Sequence, residues 1–182
     1  MTSTISTISA SVDLRLDRDF RSDIERRDFR DAMASLAANA CVVTARGGKE
    51  RLGRTVTAAM SLSVEPPAIL VSIDAASPLA ALIRREQGFS FAMLSETQQA
   101  VADAFAGKLP PEERFDAGSW GAWQSGQPRL DEAVAIMDCA VIGEIGLAGH
   151  ILFAGGVRDI ALDYSRSPLV WHHRRYNSVY PL

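Results

Sequence analysis

Hydrophobic and polar positions alternate along residues 53–63, which read G-R-T-V-T-A-A-M-S-L-S. Because successive side chains of a strand point to opposite faces, the alternation predicts one strand with two unlike faces. The first face is apolar and consists of Val56, Ala58, Met60 and Leu62. The second face is small and mostly hydroxylic and consists of Thr55, Thr57, Ala59, Ser61 and Ser63. Such a row of hydroxyls belongs either to an ordinary Thr/Ser-rich edge strand or to a surface that a flat polar molecule approaches closely.

Short runs of β-branched and apolar residues predict further strands along the chain. These runs cover 41–45, 68–74, 89–94, 133–145 and 150–162, and residues 167–176 form one more strand or an extended end. Turn residues separate most of the runs, which indicates hairpins and therefore an antiparallel sheet. With many short strands and few helices to cover their edges, we expect a closed or nearly closed barrel. No strand is followed by G-x-G-x-x-G and a helix, so a doubly wound dinucleotide fold is not expected.

Two helices are predicted from helical spacing and from start and stop signals. Residues 28–38 carry apolar side chains at helical spacing, and Asp28 is a suitable N-cap. A second helix follows Ser77 as N-cap, has Pro78 at its first position and is expected to stop at Gly88. The chain is thus expected to place a short helix before the first strand and another between two later strands.

A third helix and a long loop are predicted in the middle of the chain. The S-E-T-Q box at 95–98 is a capping box, and the helix it opens is expected to run to about Gly107. The irregular segment 108–128 that follows contains Trp120 and Trp123. A loop of this length usually has a function or covers something, so the two tryptophans either cover a site or pack in the core.

Composition limits the classes of protein that remain. The 182 residues are 47% hydrophobic and 23% charged, which is ordinary for one soluble globular domain. The net charge of −3 gives no reason to expect nucleic acid as a partner, and no apolar run approaches the roughly 18 residues of a membrane span. Cys41 and Cys139 match no metal spacing and lie in apolar runs, so we expect buried free thiols and a cytoplasmic protein.

The first 25 residues differ from the rest. They are rich in Ser and Thr and contain Asp13, Asp17 and Asp19. The segment has no basic stretch followed by an apolar core, as a secretory signal would, and it is too acidic for an organelle transit peptide. We expect residues 1–25 to form a flexible or partner-dependent arm and residues 26–182 to form the folded domain.

Few side chains offer chemistry by themselves. The three histidines, His150, His172 and His173, do not have metal-ligand spacing, and neither G-x-S-x-G nor S-x-x-K is present. We therefore expect no metal site and no nucleophilic serine. On spacing alone, His150 is a strand-end histidine bonded to a carbonyl. A chain with so few reactive groups suits an enzyme whose cofactor supplies the chemistry while the protein positions it.

Two features are suited to positioning such a cofactor. The first is the hydroxylic face of 55–63. The second is the A-A-S-P start of the helix at Ser77, where free backbone N–H groups and the helix dipole favour a phosphate. The alternative interpretation is an ordinary helix start with Ser and Pro that binds no phosphate, because it would have the same sequence. Taken together, the two features suit a flat ring system with a phosphorylated tail.

Blocks of the sequence also resemble, in order, the short-chain flavin reductases, which are partners of two-component flavin-dependent monooxygenases. The opening blocks are D-F-R-D-A-M-A-S-L-A-A-N-A-C-V-V-T-A and G-R-T-V-T-A-A-M-S-L-S-V-E-P-P-A-I-L-V-S-I-D. Later blocks include F-S-F-A-M-L-S, A-D-A-F-A-G-K, A-G-H-I-L-F-A-G-G-V and P-L-V-W-H-H-R-R-Y. The resemblance covers about residues 28–180. It implies a mainly β, split β-barrel flavin-binding fold with a few short helices over 26–182.

The resemblance also implies an activity and a set of site residues. FMN or FAD would be reduced by NADH or NADPH in a homodimer whose flavin site lies near the subunit interface, and the reduced flavin would go to a partner monooxygenase. Contacts to the flavin ring and tail would come from Thr55, Val56, Thr57, Ala58, Ser61, Leu62 and Ser63. Contacts to the ribityl chain and the phosphate would come from the loop of Asp74, Ala76 and Ser77. The cofactor-binding residues Arg175 and Tyr176 fall on the family's C-terminal R-x-Y-like end. The one catalytic residue implied is His150, near the nicotinamide, with a positioning role.

The sequence departs from the family at two places, and two other functions stay open. The family commonly has Asn where Ala92-Met93 stands, and often has T-A-S or T-A-T where this chain has T-V-T-A. Either departure is expected to alter flavin affinity or the preference between FMN and FAD. The alternatives are a non-reductase protein of the same architecture that carries flavin or holds it tightly, and a barrel that serves only as an interaction module.

Overall fold

The computed structural model describes residues 22–180, which contain twelve strands and three α-helices. The helices are α1 (Arg26–Ala34), α2 (Pro78–Glu86) and α3 (Gln99–Asp103). The first strands are β1 (Ala38–Asn39), β2 (Cys41–Gly47), β3 (Glu50–Val56), β4 (Ala59–Val64), β5 (Pro67–Asp74) and β6 (Gly88–Met93). The later strands are β7 (Trp120–Ala122), β8 (Pro128–Leu130), β9 (Ala135–Leu147), β10 (His150–Leu162), β11 (Val170–His172) and β12 (Arg175–Asn177). A wide π-type turn (Ala104–Lys108) continues α3, and a 3-10 turn (Pro111–Asp116) follows it.

Seven strands form one sheet in the order β3-β2-β6-β9-β10-β5-β4, and all neighbours are antiparallel. The predicted mainly β, antiparallel arrangement is therefore confirmed. Strands β3 and β4 lie at opposite edges, although only Thr57 and Ala58 separate them in the chain. A flat sheet of this width has edges about 29 Å apart, whereas three peptide units span at most about 11 Å. The sheet must therefore curl until its two edges approach each other at this end. Within residues 22–180 the edge strands β3 and β4 do not pair with each other. The split barrel stays a prediction.

The prediction of a single strand over 53–63 is wrong. The strand ends at Val56, and a new strand begins at Ala59 on the opposite edge of the sheet. The reason is pairing: β3 pairs with β2, whereas β4 pairs with β5. The expected continuous row of hydroxyls is therefore broken between Thr55 and Ser61. Thr55 points inward and donates a hydrogen bond from Oγ1 to the carbonyl oxygen of Ala102 at 2.7 Å.

The boundaries of α1 and α2 also differ from those predicted. Helix α1 begins at Arg26 rather than at Asp28, and the side chain of Glu25 at its N-cap makes no capping bond. The helix stops at Ala34 because residues 38–39 pair with β11 instead. Helix α2 has Ser77 as N-cap and Pro78 at its start, as predicted.

The last turn of α2 ends differently from the prediction. Gln87, with φ 53°, takes the left-handed conformation that was expected of a terminating glycine, and its amide bonds to the carbonyl of Ile83 at 2.8 Å. Gly88 is the first residue of β6 instead. A side chain there would approach the backbone of Cys139, with its Cβ 3.3 Å from the carbonyl oxygen. Gly88 thus serves close strand packing rather than helix termination.

The third helix opens three to four residues later than its capping box predicts. Helix α3 starts at Gln99. One half of the box is nevertheless present, because the amide of Ser95 donates to Oε1 of Gln98 at 3.1 Å. The long loop after the helix is partly ordered as strands β7 and β8. Its Trp120 packs at 5.5 Å from Phe105 (ring centroids), so the tryptophan belongs to the core rather than to a cover.

Two apolar clusters lie on opposite faces of the large sheet. Alternate residues of β2 belong to different clusters, with Val43 in one and Val42 in the other. Helix α2 covers the first face, and its buried residues are Leu79, Ala80, Leu82 and Ile83. The second face is covered by α3 and by the loop aromatics around Phe105. Both cysteines are buried and free, as predicted.

Two further sequence predictions concern the first 25 residues and membrane-spanning segments. The expected arm at residues 1–25 lies outside the described residues except for positions 22–25. Within residues 22–180, no helix has the length and apolar character needed to cross a membrane.

Candidate functional site

A cavity of about 430 Å³ opens beside the connection between β3 and β4, and we call it the main cavity. Its apolar walls are formed by Ile69, Phe91, Met93 and Met137. Polar groups reach it from Thr57, Ser61 and Asn39. An apolar floor with a few hydroxyl and amide groups at its edge is the usual construction of a site for a flat organic ring.

A second cavity of about 200 Å³ adjoins it and is called the small cavity. Its lining comprises Ala40, Arg54, Thr55, Val56, Thr57, Ala106, Trp171 and Tyr176. Thr57 lines both cavities, so the two cavities adjoin at this residue. The small cavity brings four of the residues predicted from the resemblance together, although Tyr176 is about 120 positions away from the others in the chain.

Tyr176 is fixed at the wall of the small cavity by two contacts. Its hydroxyl donates to Oδ1 of Asp103 at 2.9 Å, and its ring packs edge-on against Trp171 with centroids 4.9 Å apart. Asp103 in turn pairs with Lys108 at 2.8 Å. Burial, reinforced by the hydrogen bond and charge of Asp103, raises the pKa of Tyr176 above its ordinary range. The residue is therefore a neutral hydrogen-bonding wall rather than a proton donor or acceptor near neutral pH.

A second group of predicted residues lies at one end of β5 and β10. Asp74 and His150 face each other across these strands. The carboxylate of Asp74 accepts from the amide of Ala76 at 2.9 Å, and the hydroxyl of Ser77 accepts from the amide of Leu79 at 3.3 Å. The amides at the start of α2 are thus partly satisfied within the chain, and a carboxylate lies beside them.

His150 is exposed at the tight turn between β9 and β10. Its Nδ1 lies 3.4 Å from the carbonyl oxygen of Ala148, which matches the strand-end histidine that spacing alone suggested. It does not line the main or the small cavity. The two groups of residues nevertheless lie at the same end of the sheet. The amide of Ser72, two residues before Asp74, donates to the carbonyl oxygen of Ala58 at 3.0 Å.

The remaining predicted residues occupy different surroundings. Ser61 lines the main cavity, and together with Ser63 it also lines an outer cavity of about 480 Å³. Leu62 lies at an irregularity of the β4 pairing and is half exposed. Arg175 is exposed on β12 opposite His172 and lines neither the main nor the small cavity.

Several residues around the cavities were missed by sequence reasoning. Arg54 and Trp171 line the small cavity, and Met137 and Phe91 line the main one. The signal for Arg54 was present, because it immediately precedes the recognised T-V-T-A block. The others come from strands that only the fold brings near. Met93 forms part of the apolar floor. It belongs to the Ala92-Met93 pair, where the family commonly has Asn.

Among residues 22–180, the side chains that line the two cavities include no activated nucleophile. Cys41 lines the main cavity, but burial raises the pKa of its thiol to about 12, so the thiol is protonated and a weak nucleophile near neutral pH. No group of three His, Cys, Asp or Glu that could hold a metal is found within residues 22–180. A cavity with an apolar floor and a hydroxyl edge suits a bound organic cofactor that supplies the chemistry while the protein positions it.

Comparison with known proteins identifies the family. A profile described as a flavin reductase like domain matches residues 33–180. The chain is 33% identical over 156 residues to a protein named FMN reductase (NADH) RutF from Ancylobacter novellus, with 86% of each chain covered. This chain belongs to the flavin reductase family, as the sequence blocks predicted, and its class of enzyme is the nicotinamide-dependent flavin reductase.

Solved structures agree with this assignment. The chain is similar to flavin reductase PheA2 in its native state, with a TM-score of 0.79, 28% identity and coverage of 87% of this chain and all of the other. It is also similar to the styrene monooxygenase flavin reductase from Pseudomonas putida S12, with a TM-score of 0.74, 26% identity and coverage of 85% and 99%. The mainly β fold and the flavin reductase class predicted from the sequence are therefore supported by solved structures as well.

Proposed function

We propose that this flavin reductase reduces FMN with NADH at the main and small cavities and supplies the reduced flavin to a separate monooxygenase. The observation that carries the proposal is that the two cavities adjoin at Thr57, which places the apolar wall of the main cavity next to Arg54 and Tyr176 in the small one. A relative with 33% identity is named FMN reductase (NADH), which supports the choice of both substrates. FAD and NADPH stay as alternatives that the assay below separates.

The lining of the cavities fits a flavin. Phe91 and Met137 provide a flat apolar wall, while Thr57 and Ser61 provide hydroxyls for the polar edge of a ring. Flavin, when bound, accepts a hydride at N5 from C4 of the nicotinamide. The residues of this chain bind and orient the two rings and exclude water, and orientation of this kind contributes much of the rate of such a reaction. Hydroxyls at the ring edge also stabilise charge that develops there.

Two groups are candidates for the phosphate of the flavin. The resemblance implies Asp74, Ala76 and Ser77, but in this loop the amides of Ala76 and Leu79 already donate to the side chains of Asp74 and Ser77. Arg54, on the wall of the small cavity, offers a full positive charge instead. We propose Arg54 as the stronger partner, because a guanidinium binds phosphate through charge-assisted hydrogen bonds. Comparing FMN with riboflavin, which lacks the phosphate, tests this: Arg54→Ala should remove the preference for FMN, and an unchanged preference would return the role to Ser77.

His150 is proposed to position the nicotinamide ring. It is exposed at the end of the sheet shared with Thr57 and Ala58, and therefore accessible to a second substrate. We expect His150→Ala to raise the KM for NADH while the Kd for FMN stays close to that of the wild type. Identical kinetics for the variant and the wild type would end this assignment.

A homodimer with the flavin site near its interface is also part of the proposal. Strand β4 is an edge strand with exposed apolar side chains: Met60 is 59% exposed, Leu62 49% and Val64 88%. Exposed apolar edges of this kind are usually covered in the native assembly. Because Ser61 lies on the same strand and lines the main cavity, a second copy there would border the site. Light scattering of the purified protein measures its oligomeric mass and so tests the homodimer. A protein that is monomeric and still binds FMN would contradict the proposed dimer.

Transfer to a monooxygenase requires that reduced flavin leaves the protein. The similar reductase of styrene monooxygenase supports a partner of this type. We further propose a cytoplasmic location, which two buried unpaired thiols suit. If FMN is a substrate that is released, a small amount of protein with NADH should reduce a large excess of FMN under nitrogen. Reduction that stops at one flavin per protein would indicate a tightly held prosthetic group instead.

One experiment separates the proposal from its alternatives. The purified protein is titrated with FMN and with FAD, and NADH or NADPH oxidation is then followed for each combination. Flavin binding without oxidation of either nucleotide would indicate a flavin carrier, and absence of flavin binding would indicate an interaction module. Oxidation of NADH that depends on added FMN is the result that the proposal predicts.

A further inference from the structure

Helix α1 encloses a space instead of packing on the core. None of its nine residues is buried, and the apolar side chains of Phe29 and Met33 are 61% and 48% exposed. The face of the helix directed at the β11–β12 hairpin lines a cavity of about 460 Å³, which we call the helix cavity. Trp171 forms the opposite side. A helix with an apolar face that is not covered by its own core is expected to contact something else.

The helix cavity borders the proposed flavin site. Thr57 lines the helix cavity, the main cavity and the small cavity, and Trp171 lines both the helix cavity and the small cavity. A ligand bound in the main cavity therefore lies next to the helix cavity at Thr57. The helix is held in place at the hairpin, where the amide of His173 donates to the carbonyl of Ala34 at 2.7 Å.

The cavity carries positive charge in a chain whose net charge is −3. Arg30 and Arg174 line it, and Arg54 lies on the adjoining small cavity. Arg174 is paired with Asp31, but Arg30 and Arg54 make no ion pair within residues 22–180. Unpaired arginines beside apolar and aromatic walls suit a ligand that combines an anionic diphosphate with a flat base.

We propose that the helix cavity binds the adenosine diphosphate arm of the nicotinamide nucleotide, with Arg30 at the diphosphate and Trp171 and Phe29 at the adenine. The proposal rests on the reductase function proposed above. FAD carries the same chemical arm, so the arm alone does not distinguish the two ligands. We assign the cavity to the nicotinamide nucleotide because a relative is named as an FMN reductase, and with FMN only the nicotinamide substrate brings an adenosine diphosphate.

The experiment compares Arg30→Ala with Arg26→Ala in the full-length protein. Arg26 is the matched control, because it is an exposed arginine on the same helix and does not line the helix cavity. Loss of one charge-assisted contact is expected to raise the KM for NADH about tenfold in Arg30→Ala. The Kd of ADP-ribose, measured calorimetrically without flavin, should rise by a similar factor. Arg26→Ala should change neither value by more than about twofold, and the Kd for FMN should be the same in both variants.

Three results would overturn the proposal. Equal effects of the two substitutions would indicate only general electrostatic attraction. A weaker Kd for FAD in Arg30→Ala, with an unchanged KM for NADH, would assign the cavity to the flavin. A change in oligomeric mass in Arg30→Ala would indicate that a second copy of the chain occupies it.

The ADP-ribose titration separates this proposal from the proposed function. Binding of ADP-ribose that depends on Arg30, in a protein that reduces no flavin, would support the subsite and refute the reductase. Reduction of FMN with an unchanged KM for NADH in Arg30→Ala would support the reductase and refute the subsite.

Discussion

Replacing Tyr176 with Phe tests whether the wall of the small cavity is fixed as the structure indicates. The substitution keeps the ring and its edge-on contact with Trp171 but removes the hydroxyl that donates to Asp103 at 2.9 Å. Nothing else in the cavity changes in shape. The loss is therefore confined to one hydrogen bond between a phenol and a carboxylate.

The expected magnitude follows from the surroundings of the carboxylate. A hydrogen bond to a charged group contributes about 1.5–3 kcal/mol to stability. Asp103 is 23% exposed and keeps its ion pair with Lys108 at 2.8 Å, so it does not become an isolated buried charge. We therefore expect the lower end, about 1.5 kcal/mol. For a domain of this size this corresponds to a fall in Tm of about 3–6 °C. We also expect weaker FMN binding, because the ring of Tyr176 is less firmly held.

The assay is urea unfolding of the full-length chain, with FMN affinity measured in parallel. Tyr164→Phe is the matched control, because Tyr164 is 92% exposed and loses the same atom. A double-mutant cycle with Asp103→Asn isolates the pair, since the cost of Tyr176→Phe should shrink in that background. If Tyr176→Phe and Tyr164→Phe destabilise the protein equally, the hydrogen bond contributes nothing and the reasoning is refuted.

The same bond predicts a pH dependence at the alkaline side. Burial, and then Asp103, raises the pKa of Tyr176 in the folded protein. A group whose pKa is higher in the folded state stabilises the protein below its unfolded pKa, about 10 for tyrosine, and this stability is lost as the pH rises above that value. The difference in stability between the wild type and Tyr176→Phe should therefore be constant at neutral pH and diminish above about pH 10. A difference that grows there would show that the sign is wrong.

Two further predictions concern packing and thiol reactivity. Gly53→Ala would place a Cβ 2.5 Å from the ring of Phe105, so thermal denaturation should show a loss of about 1–3 kcal/mol, whereas Gly146→Ala, with open space around it, should be close to neutral. Because burial raises the thiol pKa of both Cys41 and Cys139 to about 12, a thiol reagent at pH 8 should react slowly with the native protein and rapidly with two groups in urea; fast native labelling would contradict their burial.

The sequence alone determined most of the class and much of the local structure. Alternating and β-branched runs were sufficient to predict antiparallel strands, because the period of two is a local property of extended backbone. The start of α2 was predicted correctly since Ser77 and Pro78 act within a single turn. The family was recognised from ordered blocks such as G-R-T-V-T-A-A-M-S-L-S, which the match over residues 33–180 confirms.

The site itself was decided by the tertiary structure. Nothing local indicates that the strand pattern of 53–63 is divided at Thr57 between two edges of the sheet, because partner strands impose that division. The contacts of Tyr176 with Asp103 and of Thr55 with Ala102 join segments separated by tens of residues. A one-dimensional pattern records which side of its own strand a residue faces. The two cavities adjoin at Thr57 only because curling brings the two edges of the sheet together, and that is a property of long-range pairing.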